Sequence, residues 1–410
     1  MAGGYEVLQE RGFIKQCSDE KALRHLLAKE EVCFYAGFDP TGPSLHVGHM
    51  VPLFAMAHLQ KAGHRPIALV GGGTARIGDP SGKTEMRKIL RIETIKANAE
   101  SIKKQLAHFI DFNNERALMV DNADWLADLN YIDFLRDIGR HFSVNRMLSF
   151  ETYKMRLETG LSFIEFNYQI LQSYDFLVLF RRYGCILQIG GDDQWGNIVS
   201  GIELIRRLEG KEAYALTFPL VTRSDGKKMG KTEKGSLFLS PELTAPYDFY
   251  QYWINVPDGD VEKFLLLFTF LPVSEIKRLA SLKDKEINQA KEILAYELTK
   301  LVHGQEEAEK ARRTAQALFK NASEGDLEAM PTKKLTRQEL AQGINIVDLF
   351  ATTTLCSSKS EARRLINQGG AVINSENITD PNRQIGLSDA KDNNIILRAG
   401  KKRYFRIIIE

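Results

Sequence analysis

Val32-Cys33-Phe34-Tyr35-Ala36-Gly37-Phe38, the loop Asp39-Pro40-Thr41-Gly42-Pro43, and then Arg65-Pro66-Ile67-Ala68-Leu69-Val70 decide the fold class of this chain. Two apolar, β-prone runs are separated by about a helix's length of sequence. The reading is strand, helix, strand, with a parallel pairing and a right-handed crossover. Ser44 is placed to cap the intervening helix, which runs to about Lys61 and stops at Gly63. Cys185 to Ile189 reads as a further strand entering the turn Gly190-Gly191, and Ile202 to Leu208 as a helix after it.

Working outward, residues 1–222 read as an α/β domain with a Rossmann-like, doubly wound parallel sheet. A polar, helical insertion covers about 111–159. Residues 223–320 hold a basic loop and then an α-helical domain without strand signals. Residues 321–342 read as a linker and 343–410 as a small α+β domain. In that last unit, Ser358 to Glu361 reads as a capping box for a helix ending at Gly369-Gly370. Strands follow at 371–374 and on both sides of Ala399-Gly400.

At 410 residues, with 43% hydrophobic and 26% charged residues, the chain fits a globular protein of two or three domains. Four scattered cysteines, without a C-x-x-C pair, imply neither a disulfide framework nor a zinc site and fit a reducing cytoplasm. No signal peptide and no membrane span are expected. The charge is uneven. From Pro331 onward 13 basic residues face 8 acidic ones, a net +5, while the preceding 330 residues carry −3. A basic tail on a slightly acidic body suits a polyanionic partner, although a merely solubilising surface would look the same.

Two basic elements carry the chemistry. His46-Val47-Gly48-His49 follows a strand and a Pro/Gly loop, at the mouth of a helix, where unpaired N–H groups attract phosphate. Histidines three apart share one face, and Gly48 leaves room for close approach. Capping or core histidines are the alternative; the Glu of a zinc-binding H-E-x-x-H helix is absent. Far downstream, Arg223 to Thr232 combines Gly226 and Gly230 with Arg223, Lys227, Lys228 and Lys231. By itself it would pass for a solvated charge run. Gly78 to Thr84 imitates a P-loop, but Ile77 stands where its first glycine belongs and Pro80 removes a backbone donor. Tyr168, Gln172 and Asp175 lie i, i+4, i+7, a polar stripe on an apolar helix. Such a stripe satisfies itself or lines a pocket for a polar ligand.

Taken together, Tyr35 to Thr41, His46 to His49, Gly78 to Lys83, Tyr168…Gln172…Asp175, Gly190 to Asn197 and Lys228-Met229-Gly230-Lys231-Thr232 resemble the bacterial tyrosyl-tRNA synthetases, of class I, over essentially the whole chain. Its last part resembles their small RNA-binding module. The resemblance implies a tyrosine–tRNA ligase: ATP and L-tyrosine give tyrosyl-adenylate, and the tyrosyl group passes to tRNA(Tyr). It implies His46, His49, Lys228, Lys231 and Thr232 as catalytic groups on the ATP phosphates. Tyr35 and Asp175 would bind the tyrosine phenol, and Asp79, Tyr168 and Gln172 its ammonium. Gly37, Asp39, Gly48, Gly191, Asp193, Gln194 and Lys231 would bind ATP and the adenylate. Lys359, Arg363, Arg364, Lys401, Lys402 and Arg403 would bind RNA; Tyr404 and Phe405, interleaved with them, stack on bases or fill a small core, the latter expected for at least one of the two, and Arg146, Lys154 and Arg156 are weaker candidates for contact with the acceptor end. Mg²⁺ would arrive with ATP; no protein metal site and no tightly bound cofactor are implied. A cytoplasmic homodimer is implied as well. Ala36 stands where some members have a ribose-binding cysteine, and Pro52 is unusual in the histidine helix and could bend it. A tryptophanyl-tRNA synthetase of the same fold is the alternative.

Overall fold

The structure, a computed structural model, describes residues 3–81, 89–224, 226, 229–232, 235–317, 330–353, 355–400 and 403–410, without the side chains of 231, 232 and 317. The chain forms two compact units. One comprises Met1–Thr244 with Trp253–Val302, the other Ala245–Tyr252 with His303–Glu410.

The first unit is built on a six-stranded sheet: β1 (Gln16–Cys17), β2 (Cys33–Phe38), β3 (Arg65–Val70), β4 (Leu118–Asp121), β5 (Leu187–Gly191) and β6 (Tyr214–Phe218). Their spatial order is β1-β6-β5-β2-β3-β4, parallel except for the antiparallel edge strand β1. β4 falls inside the stretch read as a helical insertion; its four half-buried residues gave too short a pattern to register. The helical part follows it, from residue 123 onward.

Helix α1 (Met50–Lys61) crosses from β2 to β3. Its residues 50–59 are buried apart from Pro52, so it is apolar on nearly all sides and fills the space over the sheet. Ser44 does not cap it: the Ser44 hydroxyl donates to the Leu45 carbonyl at 2.7 Å. The helix is instead preceded by a 3₁₀ turn, Val47–His49, capped by His46. Pro52 therefore lies in the first α-helical turn, where no intrahelical N–H bond is lost and no bend is required.

Helix α2 (Phe163–Tyr183) is bounded as its sequence dictates. Ser162 and Glu165 form a reciprocal capping box, and Gly184 ends it at φ 64°. Glu165 also meets Arg156 at 3.0 Å, both side chains being 2% exposed. Arg156 is thus a buried structural partner and is unavailable to RNA, contrary to the expectation for it. Helix α3 (Trp195–Glu209) packs beside α2, and α4 (Val261–Phe268) belongs to the same unit.

In the second unit, a five-stranded sheet runs β9-β8-β10-β11-β7, formed by β7 (Thr332–Leu335), β8 (Ala371–Ile373), β9 (Glu376–Ile378), β10 (Asn394–Ala399) and β11 (Arg403–Ile409). β7 pairs in parallel with β11, so residues read as linker belong to this sheet. Most of 321–330 lies outside the described residues. Helix α5 (Lys359–Asn367) is capped by Ser358, but the Glu361 carboxylate turns to the Ser357 N–H rather than completing the expected box. Among the described residues no helix is long and apolar enough to cross a membrane.

Removing one partner of the Arg156–Glu165 pair strands a buried charge. Arg156→Met is therefore expected to lower the unfolding free energy by roughly 3–5 kcal/mol, read from urea denaturation.

Candidate functional site

β2 continues to β3 on one side, while on its other side it abuts β5. The winding direction reverses between β2 and β5, and the loops after them part. Open α/β sheets hold their ligands at such a point, beyond the carboxyl ends of the strands. A cavity of about 520 Å³ opens there. Every described residue expected to bind tyrosine or ATP lines it, except those of the lysine loop.

The mouth is made by the histidine turn. The Gly48 N–H donates to His46 Nδ1 at 3.1 Å, and the His46 N–H donates to His49 Nδ1 at 3.1 Å. The ring centroids are 4.0 Å apart. With both Nδ1 atoms accepting, the neutral tautomer carries its proton on Nε2, so each ring offers a donor to an anion. A Cβ on Gly48 would stand 2.8 Å from the His46 ring; only glycine leaves this turn intact.

The lysine loop meets this turn through backbone. The Leu237 N–H bonds Gly230 O at 2.8 Å, the Val47 N–H bonds Leu237 O at 3.0 Å, and the Leu239 N–H bonds Leu45 O at 2.9 Å. Gly230 adopts φ 74°, and a Cβ there would come within 2.0 Å of Val47 Cγ2. The two basic elements are thus neighbours. Lys231–Thr232 form a short antiparallel pair with Gly235–Ser236. Lys227 and Lys228 lie outside the described residues, as do the Lys231 and Thr232 side chains.

The floor lies on α2. Asp175 is 1% exposed and accepts from Trp125 Nε1 at 2.7 Å and Asn122 Nδ2 at 2.9 Å. Burial pushes its carboxyl up to about 8, against the pull of those two donors. Tyr35 is 1% exposed, and its hydroxyl has no partner among the described residues. Burial, then the Asp175 charge, raise that phenol well above its ordinary value. Tyr168 donates to Asp39 at 2.8 Å and Thr74 donates to its other oxygen at 2.7 Å. Gln172 accepts from Asn197 at 3.0 Å, and Gln194 donates to Asp79 at 2.7 Å. Burial, then the charge of Asp79, raise Asp193. Gly37 has open space before it, while a Cβ on Gly191 would stand 2.5 Å from Asp193.

The arrangement sets hydrogen-bond donors at an open mouth, carboxylates along the walls, and a buried phenol–carboxyl pair at the far end. It can hold a polyanion outside and an ammonium and a hydroxyl inside. Among the described residues no group of three or more His, Cys, Asp or Glu is placed to hold a metal ion. Sequence reasoning missed Asn122 and Trp125, which follow the unread strand β4, and Gln188, which faces Tyr35 across β2 and β5 with its Oε1 buried and without a partner among the described residues. An Asp-Asn pair ending a parallel strand was the signal available for the first two.

In the second unit Arg363 and Arg364 are exposed on α5. Lys359 pairs with Asp348 at 2.8 Å, and Arg403 donates to the Leu355 carbonyl at 3.0 Å. Phe405 is 5% exposed and belongs to the core; Tyr404 packs against Met330. Lys401 and Lys402 lie outside the described residues. In the first unit Arg146 pairs with Glu203 at 2.6 Å, and Lys154 is exposed.

Comparison with known proteins agrees with this geometry. Residues 27–320 match the family of tRNA synthetases class I (W and Y), and 324–407 match the tyrosine–tRNA ligase SYY-like C-terminal domain. The chain is 60% identical over 404 residues to the tyrosine–tRNA ligase of Treponema denticola, covering 98% of each. It is 57% identical over 407 residues to that of Acetivibrio thermocellus, covering 99% of each. The crystal structure of a C-terminally truncated mitochondrial tyrosyl-tRNA synthetase from Aspergillus nidulans superposes with a TM-score of 0.71 at 31% identity, over 78% of this chain and 95% of that one. A sheet reversed at β2 and β5, a histidine-capped turn beside the lysine loop, and relatedness over nearly every residue lead to one conclusion: the chain belongs to the tyrosyl-tRNA synthetase family of class I tRNA synthetases.

Proposed function

We propose that this protein activates L-tyrosine with ATP and transfers the tyrosyl group to tRNA(Tyr). One observation carries the choice of amino acid. The buried Asp175 carboxyl and the Tyr35 hydroxyl, which has no partner among the described residues, both line the cavity. A para-hydroxyl ring would give the Tyr35 hydroxyl a partner and Asp175 a further donor beyond Trp125 and Asn122, whereas phenylalanine would leave Tyr35 unpaired; tyrosyl enzymes are themselves the standard illustration of such rejection. Tryptophan fits less well, since an indole N–H needs one acceptor and the relatives of both parts of the chain are tyrosine enzymes.

Asp79, Tyr168 and Gln172 hold the substrate ammonium. Asp39, Gly37, Gly191, Asp193 and Gln194 line the nucleotide. The tyrosine carboxylate attacks the α-phosphorus and pyrophosphate leaves, so no protein nucleophile is required. The work is positioning and stabilisation of charge growing on the β- and γ-phosphates. His46 and His49 supply Nε2–H donors beside Gly48, with Lys228, Lys231 and Thr232 on the facing loop. Mg²⁺ travels with the phosphates. The terminal ribose hydroxyl of tRNA then takes the tyrosyl group. The basic tail, with Lys359, Arg363, Arg364, Lys401, Lys402 and Arg403, grips tRNA backbone. Two copies associate and work in the cytoplasm, as the family resemblance implies; exposed Ile132, Val144, Leu157 and Phe163 are apolar side chains available to such a contact.

ATP–pyrophosphate exchange across the twenty amino acids tests the reading: tyrosine alone should support it, and Asp175→Ala should abolish it. Asp175 also gives a pH signature. Its folded value of about 8 lies above the usual 3.8, so the fold holds an extra proton between those values. Stability should fall as pH rises across that window, and Asp175→Asn should flatten the slope by one proton's worth. Lys231→Ala should slow adenylate formation by a few kcal/mol of barrier, roughly, and spare tyrosine affinity. Truncation before Pro331 should leave exchange intact and sharply reduce tRNA charging.

A further inference from the structure

The lysine loop enters from Ser224, and that residue is tied to a point 36 positions away in sequence. The Ser224 N–H and hydroxyl both donate to Asp260 Oδ2, at 2.8 and 2.9 Å. Lys263 Nζ stands 3.2 Å from Asp260 Oδ1 and donates to the Thr222 carbonyl at 2.6 Å. The Asp260 side chain is 3% exposed. Asp260 occupies the N-cap position of α4, where an aspartate ordinarily bonds its own helix, yet it makes no such cap bond. Its oxygens go to the loop entry and to the lysine that also holds Thr222. Next in the chain, the Gly226 N–H closes a turn onto Arg223 O at 3.0 Å, with Gly226 at φ 78°. The Met229 N–H bonds Val221 O at 3.3 Å. The far end is fixed separately, by the Leu237 and Leu239 bonds to the histidine turn.

We propose that Asp260 is a positioning residue for adenylate formation: through Ser224 it fixes where the lysine loop leaves the body of the first unit, and so where its basic side chains meet the ATP phosphates. The proposal rests on the reading of Lys231 as a phosphate group contact. Asp260 itself touches no substrate. A carboxylate suits the task because both Ser224 donors converge on one oxygen, and charge-assisted bonds hold shorter and stronger than neutral ones. Burial pushes its carboxyl up, but the Ser224 and Lys263 contacts outweigh this and hold it below the ordinary range. The anchor is therefore charged at neutral pH.

The test is tyrosine-dependent ATP–pyrophosphate exchange with Asp260→Ala and Ser224→Ala, each made in the wild-type chain and in Lys231→Ala. Asp260→Ala should lower kcat by about 10-fold or more and leave the tyrosine KM within about 2-fold; Ser224→Ala should lower kcat by about 3-fold. In the Lys231→Ala background each should cost clearly less than in the wild-type chain, because with Lys231 gone only Lys228 and Thr232 still gain from correct placement of the loop. Ser224 is exposed, and its truncation leaves the Asp260–Lys263 pair in place, so this variant tests the anchor even if Asp260→Ala folds poorly. Equal losses in both backgrounds, a tyrosine KM that rises with the fall in kcat, or a wild-type rate for Ser224→Ala would each overturn the proposal. A wild-type protein without tyrosine-dependent exchange would instead overturn the functional reading on which it rests.

Discussion

A parallel sheet that winds outward in both directions from its middle must leave a gap at its carboxyl edge, and this protein is organised around that gap. β2 and β5 lie side by side, yet the chain leaving each turns to the opposite half of the sheet. Asp39 after β2 and Asp193 after β5 come to face one cavity because of that divergence. α1 makes the crossover compulsory: its buried faces can be satisfied only over the sheet, which fixes the histidine turn at the cavity mouth.

Within the gap, polar side chains are held by one another rather than by solvent. Asn122 links Asp175 to Thr74, Thr74 reaches Asp39, and Asp39 receives Tyr168. A chain of this kind rigidifies its members, and leaving one unsatisfied is costly. The ligand-directed groups thereby hold their positions before any ligand arrives. The Tyr35 hydroxyl stands outside the chain, with its donor uncommitted among the described residues.

Much of this was legible in the sequence. Long apolar or amphipathic segments announced β2, β3, α1 and α2, and the spacing of Tyr168, Gln172 and Asp175 placed three groups on one helical face. Short elements were not legible. β4 has four half-buried residues, and without it Asn122 and Trp125 had no reason to be noticed. Arg156 read as a surface cation because a sequence does not reveal that Glu165, nine residues on, closes over it. Ser44 looked like a cap, but the 3₁₀ turn moved that task to His46, whose ring does what a hydroxyl usually does. β7 was concealed because its partner β11 is about seventy residues away, a pairing that no local pattern encodes.

Gly230 lies so close to Val47 that the two positions constrain each other sterically. A methyl group at 230 would overlap the valine isopropyl, and the valine, branched at its own β-carbon, has little freedom to swing aside. A side chain at 230 therefore requires the local backbone to leave its left-handed conformation or the histidine turn to give way around Val47. The two signatures are thereby joined by contact, and a change in the lysine loop is felt directly at the histidine turn.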